Sequence, residues 1–235
     1  MKNIIIASTS TLHGSPYLEY LLDDLNVFLD GIDTILFIPY ARPGGISHDD
    51  YAEHAKKAFS KIDKSLTSIH TFDHPKVAVK KAKAIFVGGG NTFVLLNELH
   101  KNDLIETIKE AVISGTPYLG TSAGSNICGL TIRTTNDMPI VYPKNLNALG
   151  LVPFNINPHY LDPDPNTAHM GESRETRIQE FHKFNTPPVI GLREGSWLEV
   201  HENSIVLKGT LTARIFEYNK MPYEIDPNTD LGVLK

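Results

Sequence analysis

Apolar residues follow two alternating rhythms over the first half of the chain. Short runs at Ile4 to Ala7, Thr34 to Ile38, Leu66 to His70, Ala84 to Val87 and Pro117 to Gly120 have the length of buried strands. Between them, Tyr17 to Leu29, Asp49 to Ile62, Thr92 to Leu99 and Leu104 to Ser114 repeat apolar positions at helical spacing, with a shorter helix at Val77 to Lys81. This succession predicts right-handed crossovers and a mainly parallel sheet with helices on both faces, an α/β fold. Ligands of such sheets bind at the carboxyl ends of the strands.

From Asp137 onward the pattern changes. One helix, Ser173 to Phe184, stands among the strand-like runs Val189 to Leu192, Trp197 to His201, Ser204 to Leu207 and Ala213 to Phe216. These predict an antiparallel C-terminal extension of the same sheet, within one domain spanning residues 1–235. The Pro- and Asp-rich stretch Pro158 to Asn166 reads as a loop.

Composition narrows the class. With 235 residues, 41% hydrophobic and 21% charged, the chain can bury one sizeable core. The net charge is −5 and the 22 Lys and Arg are scattered, which argues against nucleic acid as a partner. The densest basic stretch, Lys76 to Lys83, reads as the solvated face of a helix. Cys128 is the lone cysteine, so no internal disulfide and no oxidising compartment is called for. The first apolar run is too short for an export signal and no run reaches the ~18 residues of a membrane span, so a cytoplasmic protein without membrane association is expected.

Two glycine-rich segments sit at predicted strand ends. In Gly120-Thr121-Ser122-Ala123-Gly124, a strand running into small residues can turn sharply into a helix, expose the Ser122 hydroxyl and set backbone amides beside it. A helix N-cap is the competing reading of Ser122. In Gly88-Gly89-Gly90-Asn91-Thr92, consecutive unobstructed amides can hold an anion, or the segment is a turn that Asn91 caps. Neither segment matches a nucleotide-binding pattern.

A serine nucleophile requires a base. Among the ten histidines, His159 stands out because Pro158 and Pro163 stiffen its loop, and His169 comes second. Asp137, Glu194 and Asp162 are candidates for the carboxylate that orients the base. The His159, Asp162 and Asp164 grouping lacks the pattern of a calcium or zinc site, so no metal or cofactor is expected. Arg174 and Arg177 share a helix face and could clamp a substrate carboxylate, or pair with Glu172, Glu175 and Glu180 at the surface.

Taken together, Val87 to Thr92, Gly120 to Gly124, Thr135-Asn136-Asp137-Met138-Pro139-Ile140 and Asn157-Pro158-His159-Tyr160 resemble the S51 serine peptidases, the family of α-aspartyl dipeptidases and cyanophycinases. The resemblance runs from the first strand to about Trp197. It implies a flavodoxin-like or class-I-glutamine-amidotransferase-like fold. It also implies Ser122 as nucleophile, His159 as general base and Glu194 as third member, with the role of Asp137 open. Amides of Gly89 or Gly90 and of Ala123 would form the oxyanion hole. Arg174 or Arg177, with Asn91 beside the site, would bind substrate. The implied substrates are small peptides with an N-terminal aspartate, acted on by a monomer or homodimer. A cyanophycinase-like or amidotransferase-like hydrolase and a non-enzymatic anion-binding module are the alternatives.

Overall fold

Strand and helix alternate as the apolar pattern predicts, and the computed structural model describes residues 2–234 apart from 165, 167–169 and 233. In the first half the elements are β1 (Asn3–Ala7), α1 (Leu22–Phe28), β2 (Thr34–Ile38), α2 (His48–Phe59), β3 (Ser65–Ser68), α3 (Pro75–Lys81), β4 (Ile85–Val87), α4 (Thr92–Lys101), α5 (Ile105–Ile113) and β5 (Tyr118–Thr121). After the single turn α6 (Ala123–Asn126) come β6 (Asn155–Pro158), α7 (Arg174–Phe181), β7 (Val189–Leu192), β8 (Trp197–His201), β9 (Ser204–Lys208), β10 (Ala213–Phe216) and β11 (Tyr223–Ile225).

The main sheet has the order β3-β2-β4-β5-β1-β8-β9. Its first five strands are parallel, whereas β8 and β9 join antiparallel. Helices cover both faces, and the buried apolar residues separate into one cluster on each side, around Ile4, Ile6 and Ile38 and around Ile5, Phe37 and Phe86. Local signals set the helix starts. Ser47 and Ser173 accept from the amides of Asp50 and Thr176 as N-caps of α2 and α7, a contact worth about 1 kcal/mol each. Pro75 opens α3 at a position where its missing N–H costs nothing.

The expected helix from Tyr17 is shorter. Leu18 adopts φ 58°, and a turn of 3-10 helix at Glu19–Leu21 precedes α1. The expected extension of one sheet is corrected more deeply. Only β8 and β9 extend the main sheet, while Val189–Leu192 and Ala213–Phe216 belong to a second sheet of order β11-β10-β7-β6. Its pair β6 and β7 is parallel, joined through α7. Strand β6 escaped the sequence reading because Asn155-Ile156-Asn157-Pro158 holds a single aliphatic residue, so no apolar run marks it. Both sheets share one core, with Ile156, Ile190 and Leu192 packed in the cluster that holds Ile4 and Ile6. Among the described residues no helix is long and apolar enough to cross a membrane.

Candidate active site

Ser122 occupies the one-residue turn between β5 and α6 with φ 53° and ψ −110°, a conformation that costs a non-glycine residue about 1–3 kcal/mol. Several bonds hold it there. The Ser122 amide donates to the Ala7 carbonyl at 3.2 Å, and its own carbonyl accepts from the Asn126 amide at 2.9 Å. The Ser125 hydroxyl lies 2.6 Å from the Ala7 carbonyl oxygen and 2.7 Å from that of Gly120. Close approach of backbones requires Gly124, where a Cβ would lie 2.1 Å from the Val87 carbonyl oxygen. Ser122 stands at the N-cap position of α6, yet its side chain makes no cap bond. The hydroxyl instead faces His159.

His159 follows β6 directly. Its Nε2 is 2.8 Å from Ser122 Oγ, and its Nδ1 is 2.6 Å from Glu194 Oε1 in the turn after β7. These distances fit a neutral imidazole that accepts from serine and donates to glutamate. The His159 backbone is held by Ser8, whose hydroxyl accepts from the His159 amide at 2.9 Å and donates to the Leu192 carbonyl at 2.7 Å. Ser8 directly follows the first strand and had no motif to announce it. The Glu194 turn is anchored by its neighbour Arg193, which donates to Asp162 and Glu224 and to the Thr212 carbonyl.

Asp137 lies elsewhere. Its Oδ2 accepts from the Thr92 amide at 2.7 Å, the Thr92 hydroxyl at 2.6 Å and the Thr135 hydroxyl at 3.1 Å, so it closes the start of α4. Asp162 is paired with Arg193, 2.6 Å away, rather than with His159. Asp164 accepts from the Asn166 amide at 2.9 Å, so the side chains of His159, Asp162 and Asp164 engage separate partners. The second histidine candidate, His169, lies outside the described residues.

The Gly88–Gly90 loop runs beside Ser122. The Gly88 amide donates to Ile38 and the Asn91 amide to Ala41, which leaves the amides of Gly89 and Gly90 without an acceptor among the described residues. The Ala123 amide is likewise without one. A Cβ at Gly89 would come within 3.0 Å of the Ser122 Cβ, so the loop and the serine are in contact. Because α6 is a single turn, individual amides rather than a helix dipole supply the positive field here. Asn91 was expected to touch substrate; its Oδ1 caps α4 at the Val94 amide and its Nδ2 donates to the Met138 carbonyl.

Arg174 and Arg177 line a cavity of about 450 Å³ together with Asn136 and Asp162. Asn136 donates to the Pro158 carbonyl, one residue from His159. Neither guanidinium has a hydrogen-bond or ion-pair partner among the described residues, and the Glu175 carboxylate that could have taken one pairs with Arg214 at 3.0 Å. Arg174 Nε is buried and unpaired. Burial, and next the adjoining Arg177, depress the Arg174 pKa, while Asp137 opposes this. Such a guanidinium gains most from an anionic partner. Cys128 offers no rival nucleophile, since burial pushes its thiol up to about 12.

A hydroxyl within proton-transfer reach of an imidazole that a carboxylate orients is the arrangement of the serine hydrolases. The model of peptidase family S51 matches residues 4–208, and the chain belongs to that family. It is 45% identical over 232 residues to a peptidase E of Streptomyces coelicolor, covering 99% of this chain and 94% of the other. A relative from Drosophila melanogaster named probable alpha-aspartyl dipeptidase is 42% identical over 236 residues, covering 99% and 97%. Among solved structures, a candidate peptidase E from Listeria monocytogenes superposes with a TM-score of 0.68 at 25% identity, over 89% of this chain and 98% of that one. A peptidase from an acI-B1 actinobacterium shares the fold with a TM-score of 0.72 at 14% identity, over 98% and 96%. The chain is therefore a hydrolase of the serine peptidase type.

Proposed function

We propose that the chain is a dipeptidase that releases N-terminal aspartate from small peptides through an acyl-enzyme on Ser122. The observation that carries this reading is the hydrogen-bonded series Ser122–His159–Glu194, with distances of 2.8 and 2.6 Å, beside the unengaged amides of the glycine loop. His159 Nε2 takes the Ser122 proton as Oγ attacks the aspartyl carbonyl carbon, and Glu194 stabilises the imidazolium that forms. Amides of Gly89 or Gly90 and of Ala123 receive the oxyanion. The amine leaves with the proton from Nε2, and water, deprotonated by the same nitrogen, then cleaves the ester.

Aspartate selectivity is supported by the unpaired arginines. A carboxylate held by Arg174 or Arg177 would give the buried Arg174 Nε the partner it lacks. The Drosophila relative's name points to the same substrate class. Action in the cytoplasm, by one domain over residues 1–235 working as a monomer or homodimer, completes the reading.

Parallel assays of Asp-Leu, Glu-Leu, Asn-Leu and β-Asp-Leu test it, with Asp-Leu expected to be hydrolysed fastest and Ser122→Ala to abolish turnover and fluorophosphonate labelling. Equal rates on all four peptides would remove the aspartate pocket. Full activity of Ser122→Ala would remove the acyl-enzyme.

A further inference from the structure

Backbone amides that serve an oxyanion have no rotamers of their own, and their direction is set by whatever grips the peptide planes around them. Against the glycine loop stands Tyr51 of α2, 2% exposed, whose hydroxyl donates to the Gly89 carbonyl oxygen at 3.2 Å. The hydroxyl reaches this carbonyl only because residue 88 is glycine, since a Cβ there would lie 2.5 Å from the tyrosine oxygen. The Tyr17 hydroxyl donates in turn to that of Tyr51 across 3.4 Å, and burial pushes the Tyr17 phenol well above its ordinary value, keeping it a protonated donor. Phe37 meets the Tyr51 ring edge-on at 5.0 Å, and the Arg42 guanidinium lies 4.8 Å from its centre. Such packing leaves the ring one position.

The other end of the loop is pinned independently. The Asn91 amide donates to the Ala41 carbonyl at 2.7 Å. Gly90, at φ 144°, passes so close that a Cβ would sit 2.3 Å from the same oxygen. Between these two grips lies the Gly89–Gly90 peptide. In a trans peptide plane the C=O of one residue and the N–H of the next point in opposite directions. A hydroxyl that fixes the Gly89 carbonyl therefore fixes where the Gly90 N–H points.

We infer that Tyr51 is a positioning residue of the oxyanion site: by holding the Gly89 carbonyl, its hydroxyl aims the Gly90 amide at the charge that develops on the scissile carbonyl oxygen. This rests on the acyl-enzyme reading given above. The Tyr51 hydroxyl is bonded to the Gly89 carbonyl and to Tyr17, not to Ser122, so its effect on the reaction runs through the peptide it holds and should appear in the transition state. Ground-state binding through the arginines is left as it was.

Tyr51→Phe keeps the ring and removes the hydroxyl. With Asp-Leu as substrate its kcat should fall about tenfold, less than the ~10²–10³ lost when an oxyanion donor itself is deleted, with KM within about twofold of the parent. An aspartyl boronate, whose adduct with serine carries the oxyanion, should bind more weakly by the same factor as kcat. An unchanged kcat in the folded variant, or a loss in KM alone, would overturn the assignment. Tyr17→Phe, which removes only the hydroxyl behind Tyr51, should repeat the kcat loss at smaller amplitude. If Tyr51→Phe does not fold, absence of any kcat change in Tyr17→Phe overturns the assignment instead. Ser122→Ala assayed alongside separates the two levels: an active Ser122→Ala refutes the acyl-enzyme, whereas an inactive one beside an unimpaired Tyr51→Phe refutes only the role of Tyr51.

Discussion

Glu194 keeps 45% of its side-chain surface exposed, yet it lies 2.6 Å from the His159 Nδ1. Water competes for such a carboxylate, so its value lies in direction more than in energy: it selects the tautomer whose Nε2 can accept from Ser122. Glu194→Gln should lower kcat by roughly 10²- to 10⁴-fold with little change in KM, measured on an aspartyl dipeptide. Asp137→Asn should lower kcat far less and reduce thermal stability, because its carboxylate serves Thr92 and Thr135 at the start of α4. The reverse order of the two variants would transfer the orienting role to Asp137. By residue pattern alone these carboxylates were indistinguishable, since both stand beside a glycine- or proline-bearing turn and neither position reports what lies across the fold; only the family resemblance favoured Glu194. Ser8 was less visible still, being a plain serine 151 residues before the histidine whose amide it holds.

The β5–α6 junction shows why the Ser122 segment could be read from local pattern, whereas Glu194 was reached only through the family resemblance. Local backbone demands select residue types that can be read in order along the chain. Gly124 is glycine because α6 starts against the Val87 carbonyl, with 2.1 Å left for a side-chain carbon. Gly124→Ala should destabilise the fold by about 1–3 kcal/mol through overpacking, and reduce kcat by displacing the Ser122 turn. Denaturant midpoints and initial rates on one preparation check both. The parallel strands and their helices were legible for the same reason, since periodicity is local. Strand β6 was not, because its residues belong there through long-range bonds: Asn126 Nδ2 and the Thr134 hydroxyl both donate to the Ile156 carbonyl. The second sheet was missed with it, and so was the support for Asn136 and His159.

At the scale of the molecule, Ser122, the proposed nucleophile, comes from the main sheet, and His159 and Glu194, its proposed base and orienting carboxylate, from the second sheet. Arg193 ties the latter together, bonding Asp162 after β6, Thr212 before β10 and Glu224 in β11. Burial alone would raise the Glu224 carboxyl, but hydrogen bonds from Arg193, Thr212 and Arg214 outweigh it and hold the group at about 2, against an ordinary 4.5. The folded state thus favours the carboxylate. Its contribution is complete above the ordinary value and is lost as the pH falls from about 4.5 towards about 2. Glu224→Gln should lower the melting temperature by about 2–4 °C at neutral pH, and the difference should vanish near pH 2, as melts across that range would show. An offset independent of pH would exclude this linkage. The division of the site between two sheets also bears on synthesis. A chain leaving the ribosome from its amino end exposes Ser122 and the glycine loop well before β6, β7 and residue 194 exist. On the proposed roles, the nascent protein then carries a serine with no base to activate it, so a cell translating this peptidase would be spared a hydrolase at work before the chain is nearly all made.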